Sequence, residues 1–108
     1  MVNMGAPFRE PDAYAMVLEL EKLYDKLGAG YITEVQLKEY VMRHYGIDGS
    51  TYANKKNALI LFGFVKIDPY DEGSFYINYK NTDYHKTLML KRELQAKQRG
   101  LTDFTGVI

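Results

Sequence analysis

The chain has 108 residues, 46% of them apolar and 26% charged, which is the mixture of one globular domain and not of a disordered chain. No cysteine is present, so disulfides, thiolate metal sites and cysteine nucleophiles are excluded. Fourteen basic and fourteen acidic side chains cancel, but unevenly: residues 1–40 carry a net −3 and residues 41–66 a net +3, making the middle of the chain its positive part.

In chain order, residues 1–11 form an arm with no signal-peptide pattern, and no stretch approaches the roughly 20 apolar residues that span a bilayer. A reducing, cytoplasmic setting is expected. From Pro11 and Asp12, the spacing of Met16, Leu20, Leu23 and Leu27 predicts a first helix, with Gly28 as its left-handed C-cap. The β-prone pair Tyr31-Ile32 follows. Thr33 and Gln36 match a capping box opening a second helix, on which Leu37, Tyr40 and Val41 form the apolar face, and Gly46 ends it.

Asp48 or Ser50 is placed to cap a third helix running to about Phe62 and stopped by Gly63. With Leu59 at the centre of its buried face, steps of about 100° put Tyr52, Lys55, Lys56 and Phe62 on the inner side. Ala53, Asn54, Asn57 and Leu61 then point outward. Residues 64–68 and 75–80 alternate as two strands, with Val65, Ile67, Phe75, Ile77 and Tyr79 on one face and a turn at 69–74. Thr82 or Asp83 can cap a last helix from Tyr84 to about Arg99, ended by Gly100 and followed by a tail, 101–108.

The succession of helix, short strand, helix, tight turn, helix, hairpin and helix resembles the winged-helix superfamily. The resemblance covers 12–80 and is most specific at Ala58-Leu59-Ile60-Leu61-Phe62-Gly63-Phe64-Val65-Lys66. It implies an α+β, mainly α fold: a winged helix-turn-helix with a three-helix unit, a two-stranded β-wing and an additional C-terminal helix at 81–100. Small size, ten tyrosines and no cysteine are similar to archaeal or archaeal-virus members.

What the resemblance implies about function is sequence-specific binding of double-stranded DNA by a small dimeric transcription regulator, with helix 50–62 in the major groove. Asn54 and Asn57 would pair with bases and Ala53 would meet a thymine methyl. Arg43, Lys55, Lys56, Lys66, Asn78 and Lys80 would hold phosphates, joined by Ser50 and Thr51 at the helix start. Leu88, Leu90 and Leu94 are candidates for a homodimer seam, with Met16, Leu20 and Leu23 as the other choice. Asp68, Asp71 and Glu72 make the wing tip acidic, which opposes contact with phosphate.

No cofactor, metal or catalytic residue is expected. His44 and His85 have no second ligand at metal spacing, residues 68–79 lack the closing glutamate of a calcium loop, and Gly28-Ala29-Gly30 lacks the lysine of a phosphate loop. The competing function is a winged helix used for protein association, or for inhibiting or scaffolding a nucleic-acid enzyme, which zero net charge favours.

Overall fold

Arg9 starts the first helix: its N–H donates to Asp12 Oδ2 at 3.0 Å, and Pro11 sits in the first turn, where a missing N–H has no cost. In the computed structural model, which describes the backbone of residues 8–107 and the side chains of 8–98, this helix is α1, Glu10–Tyr24. The arm expected at 1–11 therefore lies largely outside the described residues.

Gly28 takes the expected left-handed conformation, with φ +72°, but does not cap α1. The helix ends at Tyr24 because Asp25 turns the chain outward. Its two carboxylate oxygens accept from the N–H groups of Ala29 and Gly30 at 2.9 and 2.8 Å, and Leu27 is left 97% exposed.

Strand β1, Tyr31–Thr33, leads into α2, Glu34–His44, through the predicted capping box: Gln36 N–H donates to Thr33 Oγ1 at 3.1 Å and Thr33 N–H to Gln36 Oε1 at 2.9 Å. Helix α3, Gly49–Leu61, is capped by Asp48, whose Oδ1 accepts from Ser50 N–H. At its other end Gly63, with φ +77°, donates to the Ile60 carbonyl at 3.0 Å, and Phe64 donates to Leu59 at 2.9 Å. This pair of bonds satisfies the last carbonyls, and it buries Leu59 and Phe64 completely.

The sheet has three strands, where the sequence pattern suggested a two-stranded hairpin and a separate short strand. Strand β3, Asp71–Ile77, lies between β1 and β2, Val65–Asp68, all antiparallel. The Tyr31-Ile32 pair thus belongs to the same sheet as the hairpin. Ile32 and Ile67 flank Phe75 in register on one face, while Tyr31 and Lys66 flank Tyr76 on the other. Helices cover only the first face, where Ile32 and Phe75 join Val17, Leu20, Leu37, Val41, Leu59, Phe64 and Val65 in the core.

Three further expectations are corrected. Ile67 shares Phe75's face but is half exposed, because β2 is an edge strand with a bulge between Ile67 and Asp68. The hairpin's second strand ends at Ile77, not Lys80: Tyr79–Asn81 form a 3-10 turn that swings the Tyr79 ring into the core. Gly100 does not end the last helix. Capped by Thr82 Oγ1, which accepts from His85 N–H, α4 runs Asp83–Val107 through the glycine, which costs a helix about 1 kcal/mol and does not forbid one.

The chain is thus α+β and mainly helical, with four α-helices and one small antiparallel sheet among the described residues.

Candidate functional site

Helix α3 follows α2 after only four residues, Tyr45–Asp48, so the two pack against each other and leave one side of α3 outside. That side carries Ala53, Asn54, Asn57 and Leu61, all exposed, with Leu61 at 82%. Neither asparagine amide is hydrogen-bonded to another described residue. This face is uncharged, with two amides beside an alanine and an exposed leucine.

The predicted phosphate-binding residues are dispersed and several are already engaged. Arg43, on the exposed side of α2, is paired with Glu39 at 3.2 Å. Ser50 donates through both its N–H and its Oγ to the Asp48 carboxylate, at 3.1 and 2.9 Å, and half-buried Thr51 donates its N–H to the Asp48 carbonyl at 3.1 Å. A carboxylate therefore occupies the helix start at which a phosphate was expected, and Ser50 and Thr51 have no free N–H pair to offer.

Lys55 and Lys56 lie on the inner side of α3, as the angular spacing predicted, and both fold back over aromatic rings. Lys55 Nζ stands 4.3 Å from the Phe8 centroid and 4.8 Å from that of Tyr45. Lys56 Nζ lies 3.4 Å from Glu34 Oε2 and 5.7 Å from the Tyr52 ring. Glu34 also accepts from the Tyr52 hydroxyl at 3.1 Å, and burial followed by that bond pushes the Tyr52 phenol well above its ordinary value.

On the sheet, Lys66 is exposed on the uncovered face beside Tyr76, whose ring lies 4.7 Å from that of Tyr31. Asn78 is half buried and engaged. Its Nδ2 donates to the Gly63 carbonyl at 2.8 Å and its Oδ1 accepts from Asn81, so it holds the α3 terminus in place of projecting from the wing. Lys80 is exposed on the 3-10 turn, 5.9 Å above the Tyr79 ring, and so is not part of either hairpin strand.

The turn between β2 and β3 is acidic, as expected, and two of its three carboxylates, those of Asp68 and Asp71, are turned onto their own backbone. Asp68 Oδ1 accepts from Tyr70 N–H at 2.8 Å, and Asp71 Oδ1 from Gly73 N–H at 3.0 Å.

For the candidate dimer seams, Met16 and Leu20 are buried in the core and cannot face a partner; Leu23 alone of that set is 43% exposed. On α4, Leu88 packs against the protein's own core, while Leu90 and Leu94 are 57% and 52% exposed. His85 is tied inward, its Nδ1 2.7 Å from the Tyr14 hydroxyl, within an aromatic cluster of Tyr14, Phe64, Tyr79 and Tyr84.

Sequence reasoning missed the contact of Phe8 with Lys55 and that of Glu34 with Lys56. Both join residues more than twenty positions apart, and no periodicity within one element reveals them. Among the described residues, no group of three or more His, Asp or Glu is placed to hold a metal, and no helix is long and apolar enough to cross a membrane. No family model, curated protein or solved structure matches the chain.

Proposed function

We propose that this chain binds double-stranded DNA through α3, as a small homodimeric transcription regulator of the winged helix-turn-helix kind. The observation that carries the reading is the outward face of α3. Two asparagines with unbonded amides and one alanine are presented on a rigid helix that directly follows another across a short turn, with a hairpin behind it. Strand order β1-β3-β2 and the order of helices around it agree with a winged-helix layout.

In this reading Asn54 and Asn57 pair with base edges and Ala53 meets a thymine methyl, while Lys66, Arg43 and Lys80 supply phosphate contacts from the periphery. Exposed Leu90 and Leu94 join two copies through α4, which sets two α3 helices about 34 Å apart, one turn of DNA.

The test is fluorescence anisotropy of a labelled random duplex at two salt concentrations. Six phosphate contacts in the dimer, three from each copy, weaken binding by roughly three orders of magnitude between about 50 and 200 mM salt. Absence of binding at low salt moves a second reading, protein association, to first place. That reading is favoured by a shallow apolar groove of about 340 Å³ along α2, lined by Val35, Lys38, Glu39, Met42 and Arg43.

A further inference from the structure

We infer that Phe8, just ahead of the α1 cap, acts as a brake on α3, forming with Tyr45 an aromatic clip that withholds the Lys55 ammonium from the phosphate backbone. The inference rests on the duplex-binding reading and adds to it a regulatory contact.

Lys55 differs from the two other cations of α2 and α3 that were expected to meet phosphate. Arg43 has Glu39 and Lys56 has Glu34, whereas no described carboxylate lies within 4 Å of Lys55. Its charge is held instead by two ring faces, at 4.3 and 4.8 Å, inside the roughly 6 Å range over which a ring quadrupole attracts a cation. The rings meet each other edge to face, centroids 6.1 Å apart and planes at 86°, so each wall steadies the other.

Ring faces leave the ammonium its full charge. A carboxylate would cancel it; the clip only changes where it points. The two walls come from different places: Tyr45 is the C-cap of α2, fixed by its N–H to the Val41 carbonyl, while Phe8 precedes the α1 cap and is only partly buried against the core. Phe8 is therefore the wall whose loss leaves the helix caps untouched. Its departure frees Lys55 to swing along the edge of α3, toward the same groove that Asn54 and Asn57 would enter, adding one phosphate contact.

The decisive experiment compares the parent chain, Phe8→Ala, Phe8→Leu and Phe8→Ala combined with Lys55→Gln. Phe8→Leu keeps apolar packing without a ring, so it reports on the clip even where the alanine variant folds poorly. Brief acetylation with an N-hydroxysuccinimide ester, read by peptide mass spectrometry, gives the rate at Lys55 relative to exposed Lys66 in the same molecule. Lys55 is expected to react several-fold more slowly than Lys66 in the parent and about equally in both single variants. Anisotropy with a random duplex should show a gain of about three- to tenfold in affinity for the single variants and a salt slope steeper by about 0.9 for each copy bound, about 1.8 for the dimer, both lost when Lys55 is also replaced.

Equal reactivity of Lys55 and Lys66 in the parent overturns the clip, whatever happens with DNA. A clip that opens in the variants without any gain in duplex affinity overturns the brake alone. If no version binds duplex at low salt, the duplex-binding reading fails and the brake fails with it, while the acetylation ratio still reports separately on the clip.

Discussion

The Asn78 side chain donates to the Gly63 carbonyl at 2.8 Å, and so joins the end of β3 to the turn that terminates α3. The Asn78 N–H also donates to the Phe64 carbonyl at 2.8 Å, which makes the residue a two-point clamp on the segment between α3 and β2. Asn78→Ala leaves a part-buried carbonyl without its donor and should lower stability by about 1–3 kcal/mol. Duplex affinity of the folded variant should match the parent. Unchanged melting with markedly weaker DNA binding would return Asn78 to the interface assigned to it on sequence grounds.

Two glycines at the ends of the same helix should respond oppositely to alanine. Gly63 has φ +77°, and although a Cβ would meet only Thr82 Cγ2 at 3.6 Å, the backbone conformation itself costs an L-residue roughly 1–2 kcal/mol. Gly49 begins α3 without a positive φ, and a Cβ there meets nothing within 4 Å. Gly63→Ala should therefore lower the denaturation midpoint. Gly49→Ala should hold or raise it, by up to about 0.4–1 kcal/mol, through the lower entropy of the unfolded chain. Similar losses at both positions would contradict this account.

These glycines mark what was legible in the sequence. Thr33, Asp48, Gly63 and Thr82 act through bonds to residues within a few positions, so helix starts and the α3 stop could be read from local chemistry. Gly28 shows the limit: the residue has the predicted conformation, yet Asp25 ends α1 earlier by using both carboxylate oxygens. The short strand at Tyr31-Ile32 was legible from its β-prone residues, but its place in the sheet was not, because pairing Tyr31 with Tyr76 is a long-range event that local alternation does not encode. For the candidate site, angular spacing separated Asn54 and Asn57 from Lys55 and Lys56 correctly, because burial on one helix is periodic. Where the lysine heads would go depended on Phe8, Tyr45 and Glu34, which belong to other elements.

Three tyrosine–glutamate bonds favour the neutral phenols in the folded chain and should contribute to its alkaline limit. Tyr40 donates to Glu19 at 2.9 Å, Tyr52 to Glu34 at 3.1 Å and Tyr79 to Glu21 at 2.6 Å, and burial first, then these bonds, raise all three phenols above their ordinary value. A folded-state value raised above the unfolded one gives stability that is fully present below the unfolded value of about 10 and is lost as pH climbs beyond it. Melting temperature should show no loss from these groups between about pH 7 and 9 and should fall above about pH 10. In a parallel titration, the part of the tyrosinate absorbance that comes from these three phenols should lag until the chain unfolds. A complete tyrosinate signal near pH 10 from a still-folded chain would sink this explanation.

Acidic residues at the wing tip should be dispensable for DNA. Asp71 Oδ2 accepts from Ser74 Oγ at 2.9 Å while Oδ1 holds the Gly73 N–H, and Asn at this position keeps an oxygen for the backbone. Replacing Asp71 with Asn and Glu72 with Gln removes two negative charges at little cost to the turn. Duplex affinity should stay the same or rise, most visibly at low salt, where repulsion is least screened. A large loss in a variant that melts like the parent would show that the tip takes part in binding.

The three leucines proposed for a seam on α4 do not share one environment. At about 1.5 Å per residue its 25 residues span roughly 37 Å. The whole described chain measures 60 × 39 × 22 Å, so one direction far exceeds the thickness of the body. Leu88 faces that body and packs on its core with Tyr84, whereas Leu90 and Leu94 are more than half exposed. Leu88→Glu should destabilise the fold itself, by about 1–2 kcal/mol for the apolar area returned to water. Leu90→Glu with Leu94→Glu should leave helix content and melting of the monomeric body intact and shift sedimentation from dimer to monomer, because a helix-to-helix seam needs apolar contact along one stripe. Duplex affinity should then drop as the two α3 helices lose their coupling, with the remaining half-site contact retaining its salt dependence. A parent chain that sediments as a monomer at tens of micromolar, or a dimer indifferent to the double substitution, removes α4 as the seam.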